Sequence, residues 1–138
     1  MKKDMPSLLH AHGLRDTQPR RLVLSVLQKA KTPLSHKKIF TEIKKSDAAI
    51  NLVTIYRVLE KFEEIGLTHR HLHSGGVVLC SLQDTKGHHV LLSCSSCGTV
   101  KECADEHLCQ HQDRIAHKAG FFPKTHFSEV IGMCSSCH

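Results

Sequence analysis

The chain has 138 residues, with one Tyr, five Phe and no Trp; that length allows one ordinary domain or two small ones, and so few aromatics argue against a large aromatic-lined ligand pocket. No run approaches the roughly 20 apolar residues of a membrane helix, and the first residues lack the apolar core and cleavage pattern of a secretion signal, so a soluble cytoplasmic protein is expected. The formal charge of +6 is unevenly spread, with net +7 over residues 1–82 and net −1 over 83–138; a basic first half suits a polyanion, most simply nucleic acid, although a solubilising surface accounts for the charge alone equally well.

Residues 18–30, QPRRLVLSVLQKA, place Leu22, Val23, Val26, Leu27 and Ala30 on one helical stripe. Pro19 fits the first turn and Thr17 the cap. Residues 34–46, LSHKKIFTEIKKS, predict a second helix capped by Ser35, with Ile39, Phe40 and Ile43 inward. Asn51 caps a third over LVTIYRVLEKFEEIG, with Leu52, Ile55, Val58, Leu59 and Phe62 inward and Gly66 at its end. Thr54, Arg57 and Lys61 are left on the outer face, flanked by Tyr56. Helices joined by a tight connection and followed by a hairpin make a winged helix-turn-helix, whose second helix enters the major groove. There Arg57 can meet guanine edges or phosphate, and Tyr56 can meet thymine methyls or stack. Surface decoration explains the same pattern equally well.

The hairpin is HRHLHSGGVVLC, residues 69–80. With Gly75-Gly76 as a two-residue turn, His71 pairs with Cys80 and His73 with Val78. Alternation then places His69, His71, His73 and Cys80 on one side, with Arg70 and Leu72 on the other. This permits a metal site using Cys80 and one His, but it does not supply four ligands. A solvated His face with a buried Cys is the more frequent arrangement for such a strand alone.

All seven cysteines fall at or after Cys80. An odd number without a secretion signal argues for metal binding or redox chemistry over a disulfide framework. GHHVLLSCSSCGTVKE predicts strand, Cys knuckle, strand. CADEHLCQHQDRIAHKAG predicts a helix with Leu108, Ile115, Ala116 and Ala119 inward and Gly120 at its C-cap. KTHFSEVIGM predicts a further strand before the terminal CSSCH. The second half is thus a small α/β unit. Its paired knuckles, Cys94–Cys97 and Cys134–Cys137, suit a closed Cys₄ zinc site. Two redox dithiols are disfavoured, since neither pair opens a helix that would lower a thiol pKa.

Four segments, GLRDTQPR (13–20), VTIYRVLEKFEEIGL (53–67), CSSCGTVKE (94–102) and the terminal CSSC, carry a resemblance to the ferric uptake regulator family over nearly the whole chain. The resemblance implies a cytoplasmic, homodimeric, metal-sensing repressor that binds double-stranded operator DNA and is not an enzyme. It implies an α/β (α+β) chain, with a winged-helix DNA-binding domain over 1–82, wing and hinge included, and a metal-binding dimerisation domain over 83–138. It places Thr54, Tyr56 and Arg57 on the recognition helix, Arg15 at the minor groove or backbone, and Arg20 at a phosphate.

Three positions depart from the family's iron sensors. Pro33 stands where a His is usual, Cys80 where the wing carries a Glu, and His88-His89-Val90-Leu91 where His-x-His precedes the knuckle. These departures resemble the zinc uptake regulator branch. Its sensory site implies His69, Cys80, His88 or His89, and Glu102 as ligands of a regulatory Zn²⁺, beside one structural Zn²⁺ per chain. Counting from Cys80 favours His88; counting from Cys94 favours His89. One thiolate, two imidazoles and one carboxylate suit tetrahedral zinc and poorly suit manganese or ferrous iron.

The family's third metal site is matched at His126, but Cys109 and Val90 stand where carboxylates are typical, so that site is degraded or altered to include Cys109. Cys103 reads as a small buried apolar residue; His107, His111 and His117 read as solvated. The expected function is repression of zinc-uptake genes by the zinc-bound protein. The alternatives are a regulator of the same family sensing iron, another metal or peroxide, a zinc hydrolase with Glu102 as general base and His69, Cys80 and His88 or His89 as ligands, a thiol oxidoreductase, and a zinc reservoir.

Overall fold

Asp4, Ser35 and Asn51 begin helices in the same way, each accepting through its side-chain oxygen the N–H three residues on, that of Ser7, Lys38 and Thr54. Such caps satisfy donors that a helix start leaves without partners. The computed structural model describes residues 4–46, 49–81, 89–124 and 128–138. His88, His126 and the expected boundary at 82–83 lie outside them. Two compact units are present, Met1–Cys80 and Ser81–His138. Among the described residues no helix is long and apolar enough to cross a membrane.

The first unit holds α1 (Met5–Ala11), α2 (Gln18–Lys29), α3 (His36–Lys44), α4 (Leu52–Glu64), β1 (Thr68–Arg70) and β2 (Val77–Leu79). Val23, Leu24, Leu27, Ile39, Ile43, Ile55, Leu59 and Phe62 interlock as its core. Each such side chain contributes about 1.5–3 kcal/mol by leaving water. Gly66 ends α4 in the left-handed region, φ +78°, which a residue with a Cβ adopts reluctantly. Three features differ from expectation. Helix α1 was not expected; its Leu8 and Leu9 are buried. Leu24, off the expected stripe, is wholly buried, so α2 is covered on more than one side. Leu52, expected inward, is 36 % exposed, and the buried face of α4 begins at Ile55.

The hairpin also differs. The register is Thr68 with Leu79, His69 with Val78 and Arg70 with Val77. His71 is therefore not opposite Cys80, and His73 is not opposite Val78. The connection runs from 71 to 76, not over two glycines. His71 closes it: its ring is buried, Nδ1 lies 2.6 Å from the Ser74 hydroxyl, and its carbonyl accepts Gly75 N–H at 2.7 Å. A Cβ on Gly76 would stand 2.8 Å from Pro33 Cβ. That close approach lets Leu34 and Val77 exchange backbone hydrogen bonds of 3.1 and 2.7 Å, which fastens the wing to the start of α3.

The second unit holds β3 (His89–Cys94), β4 (Val100–Ala104), α5 (Glu106–Lys118) and β5 (Ser128–Gly132). Its sheet runs β4-β3-β5, antiparallel between β3 and β4 and parallel between β3 and β5. Asp105 caps α5. The expected inward residues of that helix are not covered within one copy of the chain: Leu108 is 36 % and Ile115 57 % exposed, and no residue of α5 is buried. Cys103 is half-buried, not buried.

Candidate metal centres and the exposed face of α4

The two Cys knuckles converge because β3 and β5 lie side by side. Cys94 pairs with Gly132 at the end of the parallel ladder, so each strand delivers its knuckle to the same edge. The donor sulfurs of Cys94, Cys97, Cys134 and Cys137 all lie within 4.8 Å of one another. Cys97 and Cys134 are 3.8 Å apart, close to the roughly 3.8 Å edge of a tetrahedron with about 2.3 Å zinc–sulfur bonds. None of the seven cysteines forms a disulfide.

The electrostatics favour thiolate at Cys94 and Cys97 and oppose it at Cys137. The backbone N–H groups of Cys134 and Cys97 point at Cys94 Sγ from 3.4 and 3.5 Å, and with Cys134 the larger influence they lower its thiol to about 6. The Thr99 hydroxyl, 3.3 Å from Cys97 Sγ, lowers Cys97. Cys137 is pushed up to about 12, chiefly by sharing a hydrogen bond with Cys134. Four thiolates cannot coexist so closely without a cation, and a dication reverses that balance. The donor set fits zinc.

The remaining candidate ligands occur as one pair in each unit. In the first unit Cys80 donates its N–H to Leu67 carbonyl at 2.9 Å, which continues the β1–β2 ladder. Leu67 and His69 share a face, so His69 and Cys80 form a diagonal pair on one side of the hairpin. Cys80 is buried and His69 half-buried. In the second unit Leu91 pairs with Glu102, which makes His89 and Glu102 a diagonal pair of the same kind. His89 Nδ1 lies 2.6 Å from Glu102 Oε1. Sequence reasoning missed Ser81, which donates its N–H and hydroxyl to Glu102 Oε2 at 2.7 and 3.1 Å. No spacing rule announces such a partner.

Arg57 and Tyr56 are exposed on α4, and Val53 beside them is 56 % exposed. Val53 lies off the inward stripe of α4, as its exposure shows, whereas Leu52 belongs to that stripe and is nevertheless exposed. Thr54 is half-buried, and its hydroxyl donates to Asn51 Oδ1 at 3.0 Å, so it completes the cap. The Tyr56 ring meets His36 edge-on, 5.0 Å between centroids. Arg15 is exposed, and Arg20 donates to its carbonyl at 2.9 Å. His107, His111 and His117 are exposed.

A winged-helix unit followed by an α/β unit with a Cys₄ cluster defines a class of metal-binding DNA regulators. Residues 11–131 match the model of the Ferric uptake regulator family. A ferric uptake regulation protein of Legionella pneumophila is 36 % identical over 126 residues, covering 91 % of this chain and 92 % of that protein. The structure of a zinc uptake regulator complexed with zinc and DNA superposes with a TM-score of 0.85 at 24 % identity, over 98 % of this chain and 95 % of that one. The Vibrio cholerae ferric uptake regulator superposes with a TM-score of 0.56 at 32 % identity, over 95 % of this chain and all of that one. The chain belongs to the ferric uptake regulator family and is a metal-responsive, DNA-binding transcriptional regulator.

Proposed function

We propose that this regulator senses zinc and represses zinc-uptake genes when zinc is bound. The observation that carries this reading is the donor chemistry of the two diagonal pairs. His69 and Cys80 offer an imidazole and a thiolate; His89 and Glu102 offer an imidazole and a carboxylate. We assign these four to one regulatory ion and the four knuckle cysteines to one structural ion. Zinc, when bound, supplies four short bonds to such a mixed set, whereas manganese and ferrous iron prefer more oxygen and nitrogen donors. Zinc held by these residues would favour the DNA-competent form of the protein, a population shift driven by differential affinity.

On the DNA side, Tyr56 and Arg57 read base edges from α4, and Thr54 steadies the start of that helix. Arg15 and Arg20 meet the backbone. Arg20 spends one of its five N–H donors on Arg15 carbonyl and keeps the others for phosphate. The acting species is a homodimer on double-stranded DNA. Support for the dimer comes from the uncovered apolar surface of the second unit, where Ile115, Phe121, Phe122, Val130 and Ile131 are each at least half exposed.

The curated relatives are named for ferric uptake, which favours iron as the second reading. One titration separates the two. A duplex selected from a random-sequence pool is titrated with the full chain at buffered free zinc, iron(II) or manganese(II), read by fluorescence anisotropy. Zinc is expected to promote binding at the lowest free concentration. Cys80→Ser is expected to abolish that dependence while one zinc per chain remains. Iron(II) acting at a lower free concentration than zinc would overturn the zinc assignment.

A further inference from the structure

Glu102 has a side chain only 4 % exposed, and its two oxygens are treated differently. Ser81 gives both of its donors to Oε2, the backbone N–H at 2.7 Å and the hydroxyl at 3.1 Å. Oε1 faces His89 Nδ1 at 2.6 Å. A carboxylate can bind a cation through one oxygen or through both. Binding through both raises the coordination number and suits larger, harder ions; binding through one suits a tetrahedral centre. The identity of the ligands does not choose between these modes. The partners of the carboxylate do.

We propose that Ser81 is a specificity-determining positioning residue. By occupying Oε2 it leaves Glu102 able to offer a metal Oε1 alone, on the side of His89. Ions that need five or six donors are thereby disfavoured. Ser81 acts through Glu102 and is not itself a ligand. The inference rests on the regulatory-site reading above. It adds a selectivity element that is not a ligand and that no comparison of ligand sets would reveal. Partners of this outer kind are generally worth about 10–100-fold in metal affinity.

The test uses the full chain with zinc in the Cys₄ site. Cobalt(II) serves as the probe of geometry, and zinc and manganese(II) affinities are measured by competition. Ser81→Thr keeps both donors, Ser81→Ala loses the hydroxyl, and Ser81→Pro loses both. The wild type and S81T are expected to give the intense visible cobalt bands of a four-coordinate ion. S81A and then S81P should show progressively weaker bands, with zinc affinity lowered about tenfold or more and the preference for zinc over manganese reduced. Folded S81A and S81P with the wild-type cobalt spectrum and zinc affinity would overturn the proposal; if proline disturbs folding by circular dichroism, S81A alone decides. Glu102→Gln separates the two levels. If E102Q leaves the exchangeable metal unaffected, the regulatory-site reading fails and takes the Ser81 role with it. If E102Q weakens binding and the Ser81 variants do not, only the Ser81 role is lost.

Discussion

His36 shows how one side chain can matter to a recognition helix without lying on it. Its ring supports Tyr56 edge-on. Burial is the main cause that lowers its pKa from 6.5, and Arg70 adds to it, while Glu63 and Glu60 act the other way. The folded chain thus holds His36 neutral where the unfolded chain takes up a proton. The stability this represents is present in full above pH 6.5 and is lost as pH falls through the lowered folded value. His36→Phe should flatten that part of the pH dependence of the first unit's melting temperature, measured between pH 7.5 and 5. An unchanged slope in the variant would show that the ring contact carries no protonation cost. The helix containing His36 was legible from Ser35 and the Ile39–Ile43 spacing. Its contact with Tyr56 was not, because it joins two elements whose relative placement no local pattern encodes.

At the scale of elements, the caps and stripes of α3 and α4 were legible because a cap and a 3.6-residue period act within a few residues. The wing was not. A pair of glycines followed by an apolar run suggests a tight turn, yet the hairpin register is set from outside, by Pro33 and Leu34. Its parity nevertheless survives: His69 and Cys80 share a face in either register, so that half of the candidate site was readable while His71 and His73 were misread as its neighbours. The two glycines consequently have different tasks. Gly75 supplies a left-handed backbone at φ +71° with open space around it, and alanine there costs about 1–2 kcal/mol. Gly76 supplies closeness, with Pro33 Cβ and the backbone of Pro33 and Leu34 within 3.2 Å of where a Cβ would stand. Gly76→Ala forces the ladder at Leu34 and Val77 apart, an overpacking cost of about 1–3 kcal/mol. In urea melts Gly76→Ala should be the less stable variant, and in hydrogen exchange only it should expose the Val77 amide. Equal protection of Val77 in both variants would mean that the wing can slide past Pro33 at little cost.

Across the whole molecule, apolar burial is strongly asymmetric. The large core cluster lies entirely in the first unit, from Leu8 to Val77. In the second unit Leu91 and Cys94 are the buried apolar residues among those described, and α5 contributes none. A sheet of three strands with so little covered surface must draw its stability from elsewhere, as small domains do from metals or from association. The Cys₄ cluster joins the ends of β3 and β5, and structural zinc sites bind with apparent free energies of about 10–16 kcal/mol in small peptides at pH 7. The two units should therefore respond differently to metal removal. A chelator strong enough to empty the Cys₄ cluster should abolish the second unit's unfolding transition and leave that of the first in place. Hydrogen exchange should then show the β3 amides from His89 to Cys94 unprotected, with the α2 amides still slow. Milder chelation that removes only the ion proposed for His69, Cys80, His89 and Glu102 should leave both sets protected while DNA binding is lost. Persistent protection of β3 in fully metal-free protein would mean that the apolar surface over α5 and β5, covered by a second copy, holds this unit without a metal.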